Sequence, residues 1–269
     1  MSRGIQYITQ RKLVFLGCLV LLLLVVLFFY TFFNAVLADS TPTISFPSLD
    51  GLEITADTYI SQEAGKTPMV IMFHQAHWSR GEYREAGPRF NEMGYNAIAV
   101  DLRSGNEVLG IVNQTALRAR EKRKKTRYID AMQDVRAALA YARSRYHPTR
   151  LLAIGSSYSA GLLLKAAGEY PGLVDGIILF SPGEYFTDEG MPHDWVSQSA
   201  RKITIPVFIT SARQEKSAWA EIYHAINTKS KFSYIPITNG QHGSRSLWSR
   251  FEDNEGYWRV IDTFLKSFF

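Results

Sequence analysis

The chain has 269 residues, of which 46 % are hydrophobic, so it is long enough to bury one sizeable core. Its net charge of +5 owes three positive charges to Arg3, Arg11 and Lys12, which precede the first acid, Asp39; the remainder is close to neutral, which argues against nucleic-acid binding. The single cysteine, Cys18, excludes an internal disulfide and a zinc site built on cysteines.

The N-terminal segment is predicted to anchor the chain in a membrane. Residues 13–33 form a run of 21 residues without a charge, long enough as a helix to cross about 30 Å of hydrocarbon. The flanking charges place residues 1–12 in the cytoplasm and the large C-terminal part on the other side, in a periplasm or outside the cell. A signal peptide cleaved near residues 36–38 is the alternative, but the apolar run is longer than such peptides usually have. We therefore expect an uncleaved signal anchor, followed by a linker at residues 34–42.

After the linker, hydrophobic patterning predicts one domain, residues 43–269, in which strands and helices alternate. In chain order, the patterns predict strands at 43–46, 52–60 and 68–73, a helix at 82–93, a strand at 95–100, a helix at 128–145, a strand at 151–154, a helix at 159–170, strands at 174–180 and 206–210, a helix at 218–226, a strand at 232–237 and a helix at 248–268. This order indicates a parallel sheet covered by helices on both faces. The short connection between the strands at 174–180 and 206–210 leaves no room for a lid domain.

The turn between the strand at 151–154 and the following helix carries a candidate nucleophile. Residues 155–159, GSSYS, fit the pattern of a small residue, any residue, serine, any residue and a small residue on a strand–turn–helix elbow. Such a turn projects the serine hydroxyl above the sheet. A second reading frame would select Ser159, but the end of the strand at Ile154 places Ser157 at the turn. A Ser/Gly-rich turn without a catalytic role is the alternative interpretation.

A serine nucleophile needs a histidine base, which is in turn oriented by a carboxylate. Two histidines lie far enough downstream: His224 is inside a predicted helix, whereas His242 lies in a glycine-flanked loop after the last strand, so we favour His242. The acid has two candidates. Glu215 follows Gln214, which occupies the usual acid position after its strand, and Glu184 follows the preceding strand. We favour Glu215 and keep Glu184 as the alternative acid.

The oxyanion of an acyl-transfer intermediate is usually held by two backbone N–H groups. One is expected from Tyr158, which follows the nucleophile, and the other from Gln75 or Ala76, in the loop after the strand at 68–73. His74 and His77 in this loop lack a nearby carboxylate, which argues against a metal site.

Taken together, these segments resemble the α/β-hydrolase superfamily, in the compact, lidless form similar to dienelactone hydrolases and small esterases. The resemblance covers about residues 43–269 and is carried, in the expected order, by FHQAHWSRGEY, IAVDLRSG, IGSSYSAG, ILFSP, PVFITSARQE and GQHG. It implies an α/β fold with a mostly parallel eight-stranded sheet and cofactor-free acyl transfer to water. The expected substrate is a small acyl compound, an ester in the first place, with a thioester or a peptide as alternatives.

Two positions depart from the pattern of this superfamily. Gln75 stands where many members have glycine, and Gln214 stands where the acid is expected. The second departure favours a competing class of protein, a hydrolase fold reused as a non-catalytic binding or scaffold module at the membrane, because function resides in the site and not in the fold.

The segment from Arg118 to Arg127 contains seven basic residues and one acid. It follows the strand at 95–100, and this places it at the predicted catalytic edge of the sheet. Three interpretations stay open: a solvated loop, contact with anionic lipid headgroups, and attraction of an anionic substrate.

Overall fold

A computed structural model gives the fold and describes residues 25–26 and 41–269. The chain divides into two compact units, residues 1–41 and 42–269. Apart from Val25 and Val26, which are helical, the predicted membrane span at residues 13–33 lies outside the described residues. In the part of the chain that the structure describes, no helix is both long and apolar enough to cross a membrane. The anchor and its topology therefore stay predictions.

The larger unit is built on an eight-stranded, mostly parallel sheet, which confirms the fold class expected from the sequence. The strands of the described residues are β1 (Thr43–Pro47), β2 (Glu53–Tyr59), β3 (Met69–Phe73), β4 (Asn96–Val100), β5 (Glu107–Val108), β6 (Ile111–Val112), β7 (Leu151–Ser156), β8 (Gly176–Phe180), β9 (Val207–Thr210) and β10 (Lys231–Tyr234). The large sheet has the order β1-β2-β4-β3-β7-β8-β9-β10, and β5 and β6 form a separate short ribbon. Only the β1–β2 and β2–β4 pairs are antiparallel in the large sheet.

Helices cover both faces of this sheet. The α-helices of the larger unit are α1 (Ala86–Glu92), α2 (Gln114–Glu121), α3 (Met132–Tyr146), α4 (Tyr158–Glu169), α5 (Trp195–Ala200), α6 (Lys216–Ala225) and α7 (Asn254–Phe268). Successive side chains of a strand point to opposite faces, so Ile71 of β3 joins a core that includes residues of α3 to α6, whereas its neighbour Met72 joins a core with α1 and α7. The central strands are buried along their whole length, which explains their continuous apolar runs.

Three helices begin four or more residues after their predicted starts. The helix expected at 128–145 begins at Met132, after a 3₁₀ turn at Ile129–Ala131. The helix expected at 82–93 begins at Ala86, because Arg80–Tyr83 forms a 3₁₀ turn whose N-terminus is capped by the side chain of Ser79. The helix expected at 248–268 begins only at Asn254. Residues 248–253 form bends and turns instead, after a 3₁₀ turn at Gly243–Leu247, and Trp248 is extended. The apolar residues between 248 and 253 have a helix-like spacing but pack in a loop, so the predicted helix began too early.

Candidate active site

The turn around Ser157 has the geometry of a nucleophile elbow. Strand β7 ends at Ser156 and helix α4 begins at Tyr158, so Ser157 alone reverses the chain direction. Its φ of 59° and ψ of −122° are rare for a residue with a side chain. The turn is held by the N–H of Ser157, which donates to the carbonyl of Phe180 at 2.8 Å. A Cβ at Gly155 would lie 2.5 Å from the Cα of Ala160, so this approach requires glycine.

The neighbouring serines are less suited to act as nucleophiles than Ser157. Ser159 is fully buried, and its hydroxyl donates to the carbonyl of Phe73 at 2.8 Å while accepting from the N–H of Ser156. Ser156 is also fully buried, whereas 7 % of Ser157 remains exposed. The structure therefore places Ser157 at the accessible point of the turn and gives Ser159 a structural role in place of the expected glycine.

The structure brings His242 and Glu215 together, although 27 residues separate them in the chain. Nδ1 of His242 lies 2.7 Å from Oε1 of Glu215. The other carboxylate oxygen, Oε2, accepts from the hydroxyl of Ser181 at 2.7 Å and from the N–H of Ala212 at 3.3 Å. Burial would raise the pKa of Glu215, but the hydrogen bonds from His242 and Ser181 outweigh it and hold this pKa below its usual value. The carboxylate is therefore ionised at neutral pH and suited to orient the imidazole.

The other candidates from the sequence have different partners. Glu184 accepts the N–H groups of Val196 and Ser197, at 2.7 and 2.8 Å, and so caps the first turn of α5. Gln214 is exposed to solvent. His224 lies in the last turn of α6, with its ring edge-on to Tyr223.

Ser157 and the His242–Glu215 pair lie at the same edge of the sheet, beyond the carboxyl ends of β7, β9 and β10. Tyr185 lies within interaction range of both parts of the site: burial raises the pKa of its hydroxyl, the nearby Ser157 side chain lowers it and the charge of Glu215 raises it. Among the described residues, no hydrogen bond joins Ser157 to His242. Such contacts are often long without a substrate and shorten in the reacting complex.

The loop after β3 differs from the expectation at one oxyanion donor. The N–H of Gln75 donates to Oε2 of Glu82 at 2.7 Å, so it already has an acceptor inside the protein. The sequence also offers Ala76 for this role, and among the described residues no group accepts a hydrogen bond from its N–H. The N–H of Tyr158 lies at the first residue of α4, where a helix leaves its N–H groups without an intrahelical acceptor.

The two histidines of this loop have separate partners. His74 is fully buried, and its Nε2 accepts from the N–H of Leu102 at 2.9 Å. Burial lowers the pKa of His74 to about 4, so the ring is neutral at physiological pH. His77 is exposed and lies beside Tyr128, whose ring in turn packs against that of Tyr158 at a centroid distance of 4.7 Å.

Two polar residues of the site are not found by the sequence analysis. Ser181 donates to Glu215 and accepts the N–H of Gly243, next to His242, at 2.9 Å. Its signal is its position directly after β8, at the same sheet edge as Ser157 after β7. Glu82 gives no such signal, because it lies within a segment predicted as helix and the partners of its carboxylate are up to 162 residues away.

The segment from Arg118 to Arg127 is partly neutralised by the protein itself. Its first residues lie in α2, whose N-terminus is capped by the side chain of Asn113. Three of its basic residues form ion pairs, Arg118 with Glu53, Lys124 with Asp50 and Arg127 with Asp130. The other four are exposed without an ion pair to another described residue: Arg120, which donates to the carbonyl of Gly105, and Lys122, Arg123 and Lys125.

Comparisons with known proteins agree with this fold. Residues 65–193, which include Ser157, match the Hydrolase_4 family model, described as serine aminopeptidase, S33. No curated protein sequence matches the chain. An esterase of Pyrococcus furiosus is similar in structure, with a TM-score of 0.64 at 18 % identity, over 85 % of this chain and 93 % of that chain.

Two further solved structures extend the comparison. A dienelactone hydrolase from Anabaena variabilis has a TM-score of 0.64 at 14 % identity, over 85 % of this chain and 98 % of that chain. The esterase domain of a Rhodothermus marinus protein has a TM-score of 0.58 at 14 % identity, over 84 % of this chain and 98 % of that chain. The chain therefore has the α/β-hydrolase fold in an esterase-like form.

Proposed function

We propose that this chain is a serine hydrolase that cleaves an ester-type bond in a small acyl substrate, with Ser157, His242 and Glu215 as its triad. The observation that carries the proposal is the 2.7 Å contact between His242 and an ionised Glu215 at the sheet edge where Ser157 forms a strained elbow. The order serine, acid, histidine along the chain is the order found in this fold.

The mechanism is a two-step acyl transfer. Nε2 of His242 takes the proton of the Ser157 hydroxyl while Oγ attacks the carbonyl carbon. The N–H groups of Tyr158 and Ala76 stabilise the oxyanion of the tetrahedral intermediate. When the intermediate collapses, the leaving alcohol takes the proton from His242 and the acyl group stays on Ser157. A water molecule, deprotonated by His242, then attacks the acyl carbon, and His242 returns the proton to Oγ of Ser157 as the acid leaves. Glu215 accepts the Nδ1–H of His242 throughout.

An active-site probe separates this proposal from a non-catalytic scaffold. The sequence feature that favours a scaffold is Gln214 at the acid position. Glu215 contacts His242, however, and its carboxylate can orient the imidazole in place of an acid at 214. A fluorophosphonate should label the wild-type protein and fail to label Ser157→Ala. Folded wild-type protein that takes up no label would contradict the enzyme and support the scaffold.

The bond type is the second part of the proposal. Esters are favoured by the names of the similar solved structures, an esterase, a dienelactone hydrolase and an esterase domain. A peptide bond is favoured by the description of the matching family model as a serine aminopeptidase. Turnover of p-nitrophenyl esters of increasing acyl length, compared with aminoacyl p-nitroanilides, distinguishes the two.

Residues 13–33 anchor this hydrolase in a membrane, with residues 43–269 on the non-cytoplasmic side. The support is the uncharged run of 21 residues and the basic residues Arg11 and Lys12 before it. Protease added to intact cells or spheroplasts should digest the catalytic domain. Protection of the domain until the membrane is permeabilised would reverse the topology.

The exposed residues Lys122, Arg123 and Lys125 contact anionic lipid headgroups in this proposal. Ion pairs to acids of the protein neutralise the charges of Arg118, Lys124 and Arg127, so these three contribute less. Replacement of Lys122, Arg123 and Lys125 by alanine should weaken binding of the domain to phosphatidylglycerol vesicles. Equal binding of the variant and the wild type would leave the segment as a solvated surface.

A further inference from the structure

We infer that Glu82 is a positioning residue, which holds the segments that carry the nucleophile, the base and the second oxyanion donor in register with one another. The inference rests on the proposed function, because it assigns a role in the reaction of Ser157 and His242. Glu82 itself touches neither of these side chains, and it acts through their neighbours in the chain.

The contacts of Glu82 join three separate segments. Its Oε2 accepts from the N–H of Gln75, in the loop after β3. Its Oε1 accepts from the hydroxyl of Ser156 at 2.7 Å and from the hydroxyl of Ser244. Ser156 precedes the nucleophile, Ser244 follows the base by two residues, and the N–H of Ser244 donates to the Ser156 hydroxyl at 2.9 Å.

Burial of this carboxylate costs free energy, because the charged form loses its hydration. Glu82 is 1 % exposed, and no described Lys or Arg forms an ion pair with it. Burial raises its pKa, an effect that the hydrogen bonds from Ser244 and Gln75 oppose. A carboxylate accepts hydrogen bonds and donates none when ionised, so it suits a point where three donors converge. An apolar side chain would fill the space but would leave three buried donors without an acceptor.

The contact with Gln75 has a direct consequence for the oxyanion donor. Because the N–H of Gln75 is held by Glu82, the following peptide, with the N–H of Ala76, has a fixed orientation. The same region is clamped a second time: the indole N–H of Trp248 donates to the backbone carbonyl of Glu82 at 2.8 Å, and the ring of Trp248 stacks on that of Trp78 at 5.3 Å. The oxyanion loop and the histidine loop are thus positioned through one residue.

The test is a graded pair of substitutions. Glu82→Met keeps the length of the side chain but accepts no strong hydrogen bond, and Glu82→Gln keeps one acceptor oxygen. We expect kcat to fall about 100-fold in Glu82→Met and about 10-fold in Glu82→Gln, with KM within about 2-fold of wild type, because displaced oxyanion donors affect the transition state more than substrate binding. Inhibition by a trifluoromethyl ketone, which forms a tetrahedral adduct, should weaken in the same order.

The matched control is Glu85→Gln. Glu85 lies three residues further along and also binds the C-terminal region, through the N–H of Ser249 at 2.6 Å, but it is exposed. Its kcat should stay within about 2-fold of wild type. If both Glu82 variants fail to fold, Ser244→Ala decides, because it removes one donor to the carboxylate; it should lower kcat about 3-fold at unchanged KM.

The outcomes separate this inference from the proposed function. An active wild type with Glu82 variants that fold and match Glu85→Gln in kcat overturns the role of Glu82 alone. The same holds if Ser244→Ala, in the case where it decides, keeps the wild-type kcat. A folded wild type that neither turns over esters nor takes up a fluorophosphonate overturns the proposed function and this inference together.

Discussion

Two polar clusters lie beyond the carboxyl ends of the parallel strands, and they use their hydrogen-bonding atoms differently. The first is the candidate catalytic cluster of Ser157, His242 and Glu215. The second is centred on Arg103, just after β4, whose guanidinium donates to Asp134 at 2.8 Å and to Asp50 at 2.9 Å. Arg103 and Asp134 are almost completely buried, with side chains 1 % and 0 % exposed.

The candidate catalytic cluster is more exposed, and not all of its polar atoms have partners within the described part of the chain. The side chains of His242 and Glu215 are 35 % and 23 % exposed, and among the described residues Nε2 of His242 has no hydrogen-bond partner. Every nitrogen of the Arg103 guanidinium, in contrast, donates to an oxygen of the protein. The guanidinium of Arg103 is therefore fully used inside the fold, whereas Nε2 of His242 is left available, as the proposed reaction requires.

Removing the nucleophile should give the largest effect, and it should lower activity while leaving stability almost unchanged. Ser157→Ala should lower kcat about 10⁵-fold, equivalent to about 7 kcal/mol, because the covalent step is lost. Its free energy of unfolding should change by less than about 1 kcal/mol. Ester hydrolysis and urea unfolding measure the two effects. The control is Ser159→Ala, which loses a buried hydrogen bond to Phe73 and should lose about 1–2 kcal/mol of stability while keeping most of its kcat.

Neutralising the acid should have the next largest effect. Glu215→Gln should lower kcat about 10³- to 10⁴-fold, about 4–5 kcal/mol, since an amide no longer stabilises the charged imidazole. Glu184→Gln is the matched control, because this carboxylate caps α5 and should affect stability more than kcat. If only the second variant loses activity, the assignment of the acid is wrong.

Breaking the structural cluster should affect stability instead of turnover. Arg103→Met leaves Asp134 buried without its cation and should lower the free energy of unfolding by about 3–5 kcal/mol. The kcat per folded molecule should stay close to that of wild type. Urea unfolding monitored by tryptophan fluorescence, with active-site titration for the folded fraction, checks both expectations. A loss of kcat without a loss of stability would place Arg103 in the catalytic machinery.

The buried His74, in the loop after β3, gives a test of stability through pH. Burial lowers the pKa of His74 to about 4, so between pH 6.5 and 4 the unfolded chain binds a proton that the folded chain does not. The contribution of His74 to stability is complete above pH 6.5 and decreases as the pH falls, by about 2 kcal/mol between pH 7.5 and 5. Denaturant unfolding at both pH values should show this loss in the wild type. His74→Asn should lack this part of the slope, and an unchanged slope would contradict the assignment.

The smallest effect on stability is expected at an exposed arginine–carboxylate pair, which has the same chemistry as the buried pair of Arg103 and Asp134. Arg89 forms two hydrogen bonds to Glu255, at 2.6 and 2.7 Å, but the side chains are 34 % and 62 % exposed. Glu255→Gln should lower the free energy of unfolding by about 0.5 kcal/mol at low salt and by less at 1 M salt. A loss as large as that of Arg103→Met would show that burial is not what separates the two arginines.

The sequence predicted the strands well because buried parallel strands are continuous apolar runs between turn residues. The candidates Ser157 and His242 rest on local signals, a small-residue turn after a strand and a glycine-flanked loop, and their catalytic roles stay predictions. The choice between Glu215 and Glu184 depends on which side chain reaches the imidazole, and no local pattern encodes that distance. The short helices α2 and α5 gave no clear periodic signal of their own.

The clearest failures concern residues whose environment is made by distant parts of the chain. The N–H of Gln75, expected as an oxyanion donor, already donates to Glu82, a carboxylate that also accepts from Ser156 and Ser244. The pairing of Arg103 with Asp50 and Asp134 likewise spans 53 and 31 residues. Local sequence patterns predict whether a segment is helix, strand or turn. The partners of buried polar groups depend on tertiary contacts, which these patterns do not encode.

The positive φ of Ser157 has an evolutionary consequence. A backbone conformation that favours glycine is held there by a residue with a side chain, so the elbow costs stability that a glycine would restore. Selection for stability alone would therefore remove the hydroxyl. A descendant that had lost the proposed reaction would be free to acquire glycine at this position.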